Sequence, residues 1–245
     1  MSHSCIVFSI PRAGTHVVMR LLYLLGLKEH HVDWSDNLNL FKSPRRGHYM
    51  FGGHLSNTPV YGGQLLKSGL RTVYITRDLR DVAVSIVFFE ERIEVHPYHD
   101  FFMGLEDRDE RLKYAILGVD ELHGEARFPS VSQRYYSTVG WRQHPNVYST
   151  RFESLIGSRG GGSDELQELT MREICDHLCI RAAGGALQKC RRKLWGKRGN
   201  QYAENIGKGV IGNWRNHFKL EHKELAKAAF GHILIQEGYE KDLDW

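Results

Sequence analysis

The chain carries little of what marks a stapled, secreted or membrane-embedded protein. Among its 245 residues there are four cysteines, Cys5, Cys175, Cys179 and Cys190. None forms a CxxC pair, so neither a disulfide framework nor a zinc ribbon is encoded. Cys175 and Cys179 stand at i, i+4 spacing and share a face if that stretch is helical, and packed, reduced thiols are the expectation. No secretory leader is visible. The apolar run at residues 17–27 (VVMRLLYLLGL) is broken by Arg20 and is shorter than the roughly 20 residues a membrane span needs. The expected location is the reducing cytoplasm. Charge of one sign is scarce too: 33 Lys and Arg against 29 Asp and Glu give a formal net charge of +4. That surplus is too mild for a nucleic-acid binder, yet it suits a small polyanion. What remains is ordinary globular composition, 41% hydrophobic and 25% charged, enough for one sizeable core and one domain spanning residues 1–245.

Apolar patterning gives a strand-helix alternation. Cys5–Ile10 (CIVFSI) reads as a buried parallel strand ended by Pro11, and Val17–Leu25 as a helix. Tyr49–Phe51 is a short second strand. Thr72–Thr76 (TVYIT) is a β-branched strand that leads into an amphipathic helix over Asp81–Glu91. A helix containing Tyr135, Tyr136 and Trp141 precedes a strand at Asn146–Phe152 (NVYSTRF). Gly157–Ser163 (GSRGGGS) is a flexible loop inside the domain, because helical periodicity resumes in Leu166–Leu178. Glu221–Gln236 is the last helix. Strands alternating with helices define an α/β class: three layers, with a central parallel sheet covered on both faces. The charged region Phe101–Phe128 shows no decisive period.

Two strand-loop-helix units carry candidate chemistry. In SIPRAGTHVV a strand opens through small residues into a helix, and backbone amides at a helix N-terminus bind phosphate or sulfate. Arg12 adds a cationic fork and Thr15 a hydroxyl; a plain βα turn with a solvent-facing arginine fits this fragment equally well. It is not a Walker A loop, since Gly14 is followed by Thr15 and His16 rather than Lys and Ser/Thr. In YITRDLRDVAVSIVFF, Arg77 follows a strand's C-terminal end, where open α/β sheets place ligands. Ser85 follows on the helix, with Val82, Val84 and Ile86 as core positions around it. Arg80 and Asp81 fit a capped helix start with surface arginines.

These segments together resemble the PAPS-dependent sulfotransferases of the cytosolic type, whose donor is 3′-phosphoadenosine 5′-phosphosulfate. The family's YPKSGTTW loop is similar to the residues around Arg12, and its RNPKDVAVSYYHF to the run that starts at Arg77. Lys208–Phe218 (KGVIGNWRNHF) is similar to RKGxxGDWKNHF, and Arg151–Leu155 (RFESL) to RYEDL. The four matches keep the family's order across Ser9–Phe218. The resemblance implies a P-loop NTPase-like sheet, PAPS as donor with its desulfated product PAP, and no metal. It implies that Arg12 contacts the bridging oxygen of the phosphosulfate and that Ala13, Gly14, Thr15 and His16 supply loop donors. Arg77, Ser85, Lys208 and Gly209 would hold the 3′-phosphate. His54, in Gly52–Asn57 (GGHLSN), takes the place of the catalytic base in the family's KTHLP.

The sequence also departs from the pattern. Arg12 replaces a lysine, and a guanidinium pairs with sulfate but does not readily release a proton. Val17 stands where many members place an adenine-stacking tryptophan. Phe152 replaces a tyrosine, Gly207 an arginine, and Gly52 a lysine, each with loss of a polar contact at the cofactor site. His217 reads as structural, packed near Trp214, and Lys189–Arg198 as a solvated basic helix face. Aromatic and apolar residues over Val87–Phe89 and Tyr98–Phe102 fit an acceptor pocket or core equally. The acceptor is expected to be a small molecule with a hydroxyl or amine, with neither a nucleic-acid partner nor a membrane span. Two other functions share these features: a P-loop nucleotide kinase, which requires a Gly-Lys-Ser/Thr loop, and a PAP- or PAPS-binding module without turnover.

Overall fold

The four expected strands all form, and a short charged one joins them at an edge. In the computed structural model, residues 3–29, 41, 48–120, 127–195 and 209–245 are described. Strands β1 (His3–Ser9), β2 (Lys28–Glu29), β3 (His48–Gly53), β4 (Arg71–Thr76) and β5 (Val147–Arg151) lie in the order β2-β3-β1-β4-β5. Every pairing is parallel. Phe8 lies beside Gly53, Ser9 beside Ile75 and Thr76 beside Arg151, so the C-terminal ends of four strands are nearly level. The residues that follow those ends therefore leave the sheet along one edge. Because β1 has β3 on one side and β4 on the other, that edge holds the topological switch point at which such sheets bind ligands.

The contacts divide the chain into two compact units, 1–77 with 137–211 and 78–136 with 212–245. The first contains the whole sheet. Alternation along β1 sends Cys5 and Val7 to one face and Ile6 and Phe8 to the other. The first face is covered by α1 (Thr15–Leu24), α7 (Phe152–Leu155), α8 (Asp164–His177) and α9 (Ala186–Leu194), through Val18, Leu21, Leu155, Ile174 and Leu194. The second is covered by α2 (Pro59–Ser68) through Leu65 and by Trp141 in a 3₁₀ turn, Val139–Gln143. Helical cover on both faces makes the three layers that the alternating pattern implies. Helix α8 ends before Cys179, which is exposed at φ 55°, whereas Cys175 is buried within the helix. The two thiols thus do not share a helix face. Of the basic stretch, Lys189, Arg192 and Lys193 are exposed and Arg191 pairs with Glu168 at 3.4 Å; residues 196–198 lie outside the described residues.

The second unit is helical: α3 (Leu79–Glu90), α4 (His99–Gly104), α5 (Arg108–Leu117), most of α6 (Val131–Thr138) and α10 (Leu220–Gln236). Within Phe101–Phe128, where charge had masked the period, residues 101–104 and Arg108–Leu117 are helical, and Val119 and Phe128 pair in an isolated antiparallel bridge. Arg80, expected at the surface, is 2% exposed. Its guanidinium pairs with Asp78 and Glu240 and lies over the Trp214 and Trp245 rings. Burial opposes its charge, but the hydrogen bonds and charges of the two carboxylates outweigh it and raise its pKa. Asp81 is buried as well and accepts from the Gly212 and Trp214 amides, both at 2.8 Å. The helix cap is instead Asp78, whose carboxylate accepts from the Arg80 amide at 2.9 Å. Phe88 packs edge-on against His217, and Tyr98 and Phe102 pack on Phe128; Phe102 and Phe128 are core, while Phe88 and Tyr98 are half-buried.

Candidate active site

The loop after β1 is built to present amides. Ala13 N–H donates to Ile10 O at 3.2 Å, closing a turn, and Gly14 at φ 118° is the N-cap of α1 without a side-chain cap. The first amides of a helix have no intrahelical partner, and the dipole adds positive character there. Gly14 is required twice over. Its φ disfavours any side chain, and a Cβ would lie 2.9 Å from Phe152 Cδ2. Arg12 is held in the left-handed region at φ 71°, a conformation that costs an L-residue roughly 1–2 kcal/mol. Backbone strain of this kind clusters at binding loops.

Polar groups under the loop tie it to the strand edge. The Ser9 hydroxyl donates to Ile10 O at 2.7 Å, so in its short contact with Thr15 the Thr15 hydroxyl is the donor. Thr15 is therefore a brace for the loop and is buried, as are the side chains of Ala13 and Val17. The Ala13 and Val17 amides donate within the loop and first turn, to Ile10 O and to Gly14 O at 2.9 Å. His16 follows on the first turn of α1, half-buried. Burial, reinforced by the charges of Arg12 and then His54, pushes its imidazole down to about 4, which keeps it neutral at pH 7.

His54 leaves the sheet just beyond the end of β3 and is exposed. Its Nδ1–H donates to Ser9 O at 3.0 Å and lies 3.3 Å from Ser9 Oγ. That bond fixes the tautomer and places the basic lone pair on Nε2. Gly52, where the family has lysine, is explained by close packing: a Cβ there would run into Met19 Sδ and crowd Thr15 on α1.

Arg77 joins the four motif segments. It leaves the end of β4, is 6% exposed, and donates to Arg12 O at 3.4 Å and to Val210 O at 3.5 Å. Its guanidinium stacks 4.3 Å over the Phe152 ring, and Phe152 in turn abuts Gly14. The phosphosulfate-type loop, the arginine strand end, the RFESL turn and the segment after Lys208 thus meet at one side chain. Phe152 is 3% exposed, and in this place it supports Arg77 and Gly14 from within the core. Gly209 is half-buried next to Val210, while Gly207 and Lys208 lie outside the described residues. Ser85 is half-buried on α3 in the second unit, with Val82, Val84 and Ile86 buried around it. Among the described residues no group of three or more His, Cys, Asp or Glu could hold a metal ion, and no helix is long and apolar enough to cross a membrane. Sequence reasoning missed Ser9; the only signal was a polar residue ending an apolar strand.

A parallel sheet with an amide-rich loop, two arginines and a tautomer-fixed histidine at its switch point defines an anion-binding α/β protein equipped for group transfer. Residues 2–238 match the sulfotransferase domain, and the chain belongs to that family. It is therefore a PAPS-dependent sulfotransferase. The fold is similar to a mouse sulfotransferase, SULT7A1, crystallised with PAP: TM-score 0.67 and 17% identity, covering 97% of this chain and 88% of that one. It is also similar to retinol dehydratase in complex with androsterone and the inactive cofactor PAP, with TM-score 0.62, 15% identity and coverage of 94% and 80%. No curated protein matches the chain by sequence.

Proposed function

We propose that this chain moves a sulfuryl group from PAPS to the hydroxyl or amine of a small-molecule acceptor, with His54 as base and Arg12 and Arg77 as the principal cations. The observation that carries this assignment is the convergence of all four motif segments on Arg77. The donor set suits a molecule with two anionic ends: a helix N-terminus with Arg12 for one, and Arg77 for the other, to which motif similarity adds Lys208 and Gly209. Ser85 is assigned to the second end on motif similarity. PAPS supplies an activated sulfuryl group on a phosphate leaving group, and such transfer resembles phosphoryl transfer, with little covalent work left to the protein. The work of this chain is to orient and to stabilise charge. Arg12 and the amides of Gly14, Thr15 and His16 face the charge that develops on the leaving phosphate. His54 Nε2 takes the acceptor's proton, because Nδ1–H is committed to Ser9 O.

The family match runs through both compact units, and the chain is proposed to act as one domain, in the cytoplasm. The kinase alternative falls with that match. Labelled PAPS offered with phenols, aliphatic alcohols, amines, sugars and carrier-bound acyl chains tests the assignment. Transfer to at least one class is expected, undiminished by EDTA. PAP binding without transfer to any of them would favour the silent module. His54→Ala is expected to lower kcat by ~10²-fold or more while PAP still binds nearly normally. Retention of more than half the wild-type kcat at saturating acceptor would move the base role away from His54.

A further inference from the structure

The loop that carries His54 is held from one side by a segment more than eighty residues away. Trp141 Nε1–H donates to Leu55 O at 2.7 Å. Asn57 N–H donates to Ser137 O at 2.6 Å, and Asn57 Nδ2 donates to His144 Nε2 at 3.1 Å. Three hydrogen bonds therefore tie residues 55 and 57 to residues 137–144. The Trp141 ring is fully buried and stacks on Phe8 of β1 at 4.6 Å between centroids, with 27° between planes. Phe8 immediately precedes Ser9, which accepts the His54 Nδ1–H. One indole thus fixes both the strand end that orients the imidazole and the peptide that follows it. The same 3₁₀ turn reaches the neighbouring strand end, where Arg142 Nη2 donates to Thr76 Oγ1 at 3.2 Å. Thr76 adjoins Arg77 in the chain. This turn spans the edge between the two strand ends that bear the base and the central arginine.

We infer that Trp141 is a positioning residue for catalysis: through Leu55 O and Phe8 it holds His54 at the angle that proton abstraction requires. This rests on the reading of His54 as base. The alternative role for so large a buried side chain is bulk packing. That role predicts loss of stability and of all functions in parallel. Positioning predicts a split, since a base misaligned by about 1 Å loses rate by up to about a hundredfold while donor binding is unaffected.

Trp141→Phe keeps an aromatic ring against Phe8 and removes only the N–H. The expected result is a kcat lowered about tenfold or more, with the PAP dissociation constant within about twofold of wild type. In a His54→Ala background the same substitution is expected to cause no further loss, because nothing is left to position. Asn57→Ala, which deletes the bond to His144 alone, is expected to shift kcat in the same direction by less, and it serves if Trp141→Phe does not fold. The inference is overturned if Trp141→Phe and Asn57→Ala leave kcat unchanged while His54→Ala abolishes turnover. It is equally overturned if Trp141→Phe lowers turnover by the same factor with and without His54. If His54→Ala itself turns over normally, the base reading fails first, and the brace has nothing to act on.

Discussion

His16 gives the loop a signature that can be read without any substrate. Its folded pKa of about 4 lies below the ordinary 6.5. Above pH 6.5 neither the folded nor the unfolded state binds a proton there, and its contribution is constant. As pH falls from about 6.5 to about 4 the unfolded chain takes up a proton that the folded loop refuses, and stability drops by at most ~3 kcal/mol. Below that range both states are protonated and the loss stops growing. Urea melts from pH 7.5 to 4 should show this slope in wild type and a shallower one in His16→Gln; equal slopes would place the titration elsewhere. Arg77 makes the complementary prediction for binding. Charge-assisted hydrogen bonds are worth ~1.5–3 kcal/mol each, so Arg77→Ala should weaken PAP binding at least tenfold by calorimetry, with circular dichroism unchanged. The positions of Arg12, His54 and Arg77 were legible because each follows a strand end, and a motif can number that place. The buried state of Arg80 was not, since Glu240, Trp214 and Trp245 reach it from far along the chain. The contact between the Thr15 and Ser9 hydroxyls was not legible for a related reason, since no motif pairs those two positions.

The loop and helix of the first βα unit act together, and Gly14 is where they join. Gly14→Ala is expected to cost at least about 1–2 kcal/mol, from its positive φ and from contact with Phe152. Both the midpoint of urea unfolding and the affinity for PAP should fall, because the amides move with the turn. An alanine mutant with wild-type stability and affinity would show that the turn relaxes without consequence. At this scale the sequence was informative wherever apolar periodicity was strong. The runs CIVFSI and TVYIT form strands, and Leu166–Leu178 lies within or beside α8. The glycine-rich GSRGGGS, expected as loop, contains a 3₁₀ turn at Ser158–Gly160 that bonds to Ile211 through Gly160 O. The pairing partner of a glycine carbonyl cannot be read from composition. Helices α4 and α5 were hidden by their charged exposed faces, and the brace at Trp141 by the distance in sequence to Leu55.

In the molecule as a whole, family and geometry point the same way. The family match spans both compact units, and the geometry gathers four separated motifs around one buried arginine. The chain is proposed to be shaped for a nucleotide with phosphate groups at its 3′ and 5′ positions. Thermal unfolding with adenosine 3′,5′-bisphosphate, set against ATP with Mg²⁺, tests it most directly. At a hundredfold excess over its dissociation constant a bound ligand contributes about 2.7 kcal/mol, which for a chain of this length raises Tm by about 5–10 °C. The bisphosphate should produce that rise in wild type and a much smaller one in Arg77→Ala, with ATP and Mg²⁺ giving little in either. Stabilisation by ATP and Mg²⁺ equal to or greater than that by the bisphosphate would mean that the chain is not shaped for a 3′,5′-bisphosphate.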